Sequence, residues 1–322
     1  MGIKYAHQLT HSLGGLSLSR LHLIAQHRFL LSKTQTTTNN QRLQQPTLDV
    51  DISWLYRSKN KIVQANRIQH VIDICVEFVR VGFAVILVCD GVNRHHSKRA
   101  TIGRLAKSYN NSINGYIARS KLMQLSKQRQ QTDLISEQNA ITEEEKTLTK
   151  QIQSLESQDQ ASKIDVGEEF YQNLCKFVDG IPQKELGNQN GKLMVIQAEY
   201  QADSVIAYRL INKISDISFC IDSDIAALTG IDCCSIKSYK YSNKQVSDIE
   251  LFFADKSSLD YICNYLEIND LTPGIKINIS KCAIFDGIKS LELRSLVAVG
   301  LGCDVFPMGI RNNDKPPKEC VN

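Results

Sequence analysis

The chain has 322 residues, 42% of them apolar, with a net charge of +4. That length allows one or two domains with a sizeable core, and the modest charge means that any affinity for nucleic acid must come from local patches. The ten cysteines are scattered with no CxxC pair, and the adjacent Cys233-Cys234 are poorly spaced for a zinc site, so they read as ordinary buried thiols of a reducing compartment. No apolar run reaches the roughly 18 residues needed to span a membrane, so no membrane partner is expected.

Residues 1–48 contain no Asp or Glu but carry Lys4, Arg20, Arg28, Lys33 and Arg42. Two readings fit: a mitochondrial transit peptide, or a structural N-terminus followed by a polar loop from Lys33 to Pro46. Thr47–Trp54 is the first strand candidate, with Asp49 and Asp51 alternating onto one face. A helix follows over about residues 60–80, with Val71, Ile74, Cys75 and Phe78 at helical spacing. Phe83–Cys89 is an unbroken apolar run closed by Asp90-Gly91, the pattern of a buried parallel strand. A single Asp after a strand is usually a turn former. Its recurrence after several strands is what points to a site.

From Gly91 to Thr132 the chain has no acidic residue. It carries Arg94, Lys98, Arg99, Arg104, Lys107, Arg119, Lys121, Lys127 and Arg129, a density that suits phosphate contacts but also describes a solvated helix face. Leu134, Ile141, Leu148 and Leu155 then recur every seven residues, with Ile152 offset, which predicts a helical hairpin or short coiled coil. After a polar loop at 187–192, Leu193–Ile196 reads as a strand. Gln197 to Leu210 reads as a helix opening on a carboxylate, with an apolar stripe of Val205, Ile206, Leu210 and Ile211. Ile217–Ile221 is a further buried strand, with Asp222 and Asp224 just past its end. Ile249–Phe253 is a strand candidate, Ser258–Leu266 a short helix, and Leu291–Leu301 an apolar helix running into Gly302-Cys303-Asp304. In a parallel α/β sheet, ligands bind at the carboxyl ends of the strands. Carboxylates gathered there are stable as anions when a cation neutralises them, and oxygen ligands suit Mg²⁺ or Mn²⁺.

Asp51 in Val-Asp-Ile-Ser, Asp90 in Val-Cys-Asp-Gly, Ala-Asp203, Ile-Asp222-Ser-Asp224 and Gly-Cys-Asp304 form an ordered set. It resembles that of the flap endonuclease/XPG superfamily of structure-specific 5′ nucleases, from the Met-Gly-Ile start to about Ile310. The resemblance implies a PIN-like α/β core: a parallel sheet flanked by helices with an inserted helical arch. It divides the chain into a first half of the core (1–104), an arch (105–186), a second half (187–310) and a tail (311–322). It implies a mature N-terminus, a nuclear setting with a mitochondrial one as the other possibility, and two-metal hydrolysis of DNA phosphodiesters. Asp51, Asp90 and Asp203 would hold one Mg²⁺ and Asp222, Asp224 and Asp304 a second, with Mn²⁺ able to substitute. Lys98 and Arg104 would contact the scissile phosphate, while Arg94, Arg99, Lys107, Arg119, Lys121, Lys127 and Arg129 would contact single-stranded or flapped DNA.

The chain departs from the family in two places. Gln201-Ala-Asp203 replaces Glu-Ala-Glu, with Glu199 as a candidate substitute carboxylate. The region after Asp304 lacks the pattern of the duplex-gripping helix-two-turn-helix, and Pro316-Pro317 argue against a helix there. These departures support the alternative, a catalytically impaired nuclease-like protein that acts as an interaction or regulatory module.

Overall fold

The computed structural model describes residues 10–35, 44–58, 64–91, 99–132, 134–163, 168–186, 192–220, 224–230, 233–280 and parts of 285–297. Its centre is one mixed sheet of eight strands: β1 (His11–Leu16), β2 (Thr47–Asp51), β3 (Ala84–Cys89), β4 (Lys192–Gln197), β5 (Ile217–Phe219), β6 (Ser235–Ser242), β7 (Gln245–Phe253) and β8 (Lys276–Asn278). Their spatial order is β4-β3-β2-β5-β6-β7-β1-β8. The five strands from β4 to β6 are parallel, and the pairings from β6 to β8 are antiparallel.

β2, β3 and β5 are buried at every position, as expected of strands covered on both faces. On one face Leu48, Val50, Val85, Leu87, Cys89 and Phe219 pack with helices α1 (Leu18–Gln35), α2 (Ile52–Ser58) and α3 (Gln64–Val81). On the other, Ile86, Val88 and Cys220 pack with α7 (Ala202–Ile211) and α8 (Asp224–Thr229). The alternation along each strand therefore sends Asp49 and Asp51 to the α7 side.

Some expectations need correction. The strand expected over Thr47–Trp54 ends at Asp51, where α2 begins. The helix expected from Gln197 begins at Ala202, because Gln197 ends a strand, and its buried stripe is Ala202, Ile206, Ala207 and Leu210, whereas Ile211 is exposed and Val205 half-buried. The N-terminal segment holds β1 and an eighteen-residue helix, α1, as a structural N-terminus would; the helix runs to Gln35, past the Lys33 start of the expected polar loop, and residues 36–43 of that loop lie outside the described residues. Of the expected helix over 291–301, Glu292–Arg294 are helical, and much of the rest lies outside the described residues.

Between the neighbouring strands β3 and β4 the chain inserts α4 (Arg99–Gln131), α5 (Ile135–Lys163) and α6 (Glu168–Asp179). α4 and α5 form an antiparallel hairpin whose seam is Ala118, Leu122, Leu125, Ile141, Leu148 and Ile152. Leu134, the expected first position of the heptad series, is instead 61% exposed at the hairpin tip. A further helix, α9 (Lys256–Ile268), covers β1 and β7 and extends the predicted Ser258–Leu266 at both ends. Asp255 caps it, its carboxylate accepting from the Ser257 N–H at 2.8 Å.

Candidate metal centre

The strand order contains one reversal. The chain steps outward from β2 to β3 to β4, then returns to lay β5 on the far side of β2. The carboxyl ends of β2 and β5 therefore flank a topological switch point, where the diverging connections leave a crevice. Register places the residues in it. Val50 lies opposite Phe219, so one step further sets Asp51 beside Cys220. On the other flank Asp51 pairs with Val88, and Asp90, two residues on, faces the same side.

α7 crosses this face with its first turn over the crevice. The carboxylate oxygens of Asp51 and Asp203 and the sulfur of Cys220 all lie within 4.8 Å of one another. Asp51 and Asp203 are 7% and 9% exposed and Cys220 is fully buried. The Cys220 thiol donates to Asp203 Oδ1 at 3.3 Å. Asp51 also serves as the N-cap of α2, its Oδ1 accepting from the Trp54 N–H at 2.9 Å.

Asp90 stands beside this group without contributing an atom to it. Its Oδ1 accepts from the Ala202 N–H at 3.2 Å, and its own N–H donates to Ser53 Oγ at 3.1 Å. Gln201, the N-cap residue of α7, makes no side-chain cap. Asp90 thus supplies from across the sheet the negative charge that a helix N-terminus favours. It also fixes the turn that carries Asp203. Gly91 is obligatory here, because a Cβ at that position would overlap the carbonyl oxygens of Ala198 and Glu199.

One layer deeper, Asp49 is fully buried, and Arg209 of α7 donates through Nε to its Oδ2 at 2.7 Å. Burial pushes the Asp49 carboxyl up to about 6, against the opposing pull of the Arg209 charge. This pair clamps α7 to β2 six residues from Asp203.

Of the other expected ligands, Glu199 is exposed at the edge of the site. Asp224 is the first residue of α8 and is placed by its backbone; Asp222 and Asp304 lie outside the described residues, as do Lys98 and Arg94. Arg99, Arg104 and Lys107 are placed by backbone on the first turns of α4. Further along α4, Arg119, Lys121 and Arg129 each form an ion pair with a glutamate of α5: Glu156, Glu144 (2.6 Å) and Glu145 (2.9 Å). Lys127 is exposed.

No family model matches the chain, and no curated protein matches it. Among solved structures it is similar to human GEN1 in complex with Holliday junction DNA, with a TM-score of 0.36 and 13% identity. That alignment covers 83% of this chain and 46% of the other, so this chain spans less than half of the GEN1 chain's length.

The donor set fits a divalent cation. Two carboxylates and a thiol converge at one point of a buried crevice, each on a different element held by backbone hydrogen bonds. Cys220 is the member that sequence reasoning misses, because a cysteine closing an apolar run looks like an ordinary buried thiol. Only the β2–β5 register reveals which carboxylate it faces.

Proposed function

We propose that this chain is a divalent-metal-dependent nuclease that hydrolyses DNA phosphodiester bonds. The observation that carries the reading is the convergence of Asp51 and Asp203 at the switch point of the sheet, with Asp90 beside them. Asp51 and Asp203 hold the metal, and Asp222, Asp224 and Asp304 are candidates for a second Mg²⁺ or Mn²⁺. When bound, such ions acidify a water and neutralise charge at the scissile phosphate. The chain's own residues set the geometry. Asp90 fixes the first turn of α7, Asp51 is held by the N-terminus of α2, and the Asp49–Arg209 clamp keeps α7 against β2.

Lys98 and Arg104 are the proposed phosphate contacts. The hairpin is the proposed arch, taking single-stranded or flapped DNA along the acid-free α4, and the nucleus is the proposed setting. Because Arg119, Lys121 and Arg129 also bind α5 glutamates, their attraction for phosphate is partly offset, and the salt dependence they contribute is shallow. The second reading, an impaired nuclease-like interaction module, draws on one departure of the sequence: the resemblance implies a carboxylate where this chain has the amide of Gln201.

The test is Mn²⁺ titration calorimetry beside cleavage of flap, nicked-duplex and single-strand oligonucleotides at equal ionic strength. Metal-dependent cleavage is expected, lost roughly a hundredfold or more in Asp203→Asn, since even outer-shell changes cost ten- to hundredfold. A wild type that binds no divalent ion, neither Mn²⁺ nor Co²⁺, would overturn the metal site. Binding without cleavage would favour the interaction module.

A further inference from the structure

Cysteine is an unusual member of an otherwise carboxylate site, and three observations constrain what it does. The first is its aim. The Ser235 hydroxyl accepts from the Cys220 N–H at 3.3 Å and donates to the Cys220 carbonyl at 2.7 Å, so the residue is pinned at both backbone groups. The second is its place: extending the β2–β5 register puts Cys220 directly beside Asp51, on the flank of the switch-point crevice. The third is its distance. The sulfur lies 3.3 Å from Asp203 Oδ1, close to the separation of about 3.6 Å that a tetrahedral ion sets between a sulfur at ~2.3 Å and an oxygen at ~2.1 Å. Cys75, Cys89, Cys233 and Cys234 are equally buried, yet among the described residues none of them belongs to such a donor group.

We infer that Cys220 is a direct metal ligand, and that the centre is a mixed thiolate–carboxylate site selecting thiophilic divalent ions such as Zn²⁺, Cd²⁺ or Co²⁺ over Mg²⁺. The inference rests on the metal-site reading above and changes which ion that site takes. Thiolate sulfur favours softer cations, whereas Mg²⁺ demands oxygen. On binding, the thiol proton leaves to solvent and a sulfur lone pair goes to the ion, so the S–H···O contact with Asp203 becomes an S–metal–O bridge. Ser235 then acts as a positioning residue, holding the sulfur without touching the ion.

The test uses the full chain, stripped of metal and titrated with Co²⁺, with absorbance read in the near-ultraviolet sulfur-to-cobalt charge-transfer region. The wild type should show the band, and Cys220→Ser and Cys220→Ala should lack it. Cd²⁺ affinity should fall about tenfold or more in both variants, the scale of losing ligand support. Mn²⁺ affinity should change far less. A band that survives in both variants belongs to other thiols and overturns the inference, as does a wild type with no band that still binds Mn²⁺ in an Asp203-dependent way. In both cases the metal site itself stands. A wild type that binds neither Co²⁺ nor Mn²⁺ sinks the site and this inference together. Should Cys220→Ala fail to fold, the isosteric Cys220→Ser decides, with circular dichroism as the check.

Discussion

Replacing Asp49 by asparagine should alter how stability depends on pH, in a direction that the buried pair fixes. Burial raises the Asp49 carboxyl from its ordinary 3.8 to about 6 despite the Arg209 charge. Two pKa units correspond to about 3 kcal/mol between the protonation states. Between roughly pH 4 and 6 the folded chain holds a proton there that the unfolded chain has released. Stability from this group therefore falls as pH rises through that window and is flat above it. An asparagine at this position carries no such proton, so the stability of Asp49→Asn relative to wild type should rise by about 3 kcal/mol from pH 4 to pH 7. The constant offset depends on how the buried amide is hydrogen-bonded, since Asp49 Oδ1 has no hydrogen-bond partner among the described residues; the change with pH does not. Urea unfolding followed by far-ultraviolet circular dichroism, at fixed ionic strength from pH 4 to 8, gives the difference directly. A difference that stays flat or declines with pH would refute the reasoning. Arg209→Met should act the other way, costing about 3–5 kcal/mol at pH 7 by leaving a buried carboxylate without its cation.

Two further outcomes follow from the double roles of the site residues. Asp51→Asn should keep the N-cap of α2 while losing divalent-metal binding, whereas Asp51→Ala loses both and about 1 kcal/mol of stability; equal melting-temperature losses in the two variants, measured in chelator, would show that the cap contributes nothing. Gly91→Ala should push the end of β3 away from Ala198 and Glu199, costing about 1–3 kcal/mol and weakening Mn²⁺ binding through the displaced Asp90, and unchanged calorimetry would contradict the packing described.

The parallel half of the fold was legible because its strands are covered on both faces. Phe83–Cys89 is an uninterrupted apolar run and Ile217–Phe219 is apolar but for the buried Ser218, while Asp51, Asp90 and Asp203 lie at strand ends or in the first turn of a helix. The antiparallel half was legible only in part, at Ile249–Phe253, which forms the buried end of β7. β1 is His-Ser-Leu-Gly-Gly-Leu, with two glycines and little β preference, and it is held by its neighbours β7 and β8 rather than by its own composition. β6 alternates half-buried and exposed residues beyond Ile236 and has no unbroken apolar run to mark it. In the site, the carboxylates could be counted from the sequence, but their neighbours could not. Arg209 meets Asp49 across 160 residues, and Cys220 meets Asp203 only because a strand and a helix from different parts of the chain share one face.

The position of β1 has a consequence for synthesis. It lies between β7 and β8, with His11 opposite Phe253, so the earliest described strand pairs only with strands made some 240 residues later. At translation rates of about 5–20 residues per second, β1 and the apolar side of α1 wait roughly 12–50 seconds for their partners. The parallel strands β2 to β6 are all made within that interval and can assemble first. Until β7 emerges, Leu13 and Leu16, fully buried in the finished fold, lack the strand they pair with, and α1 lacks its contacts with that strand. β1 can join the sheet only once β7 is made, and β8, made later still, pairs with β1 after that.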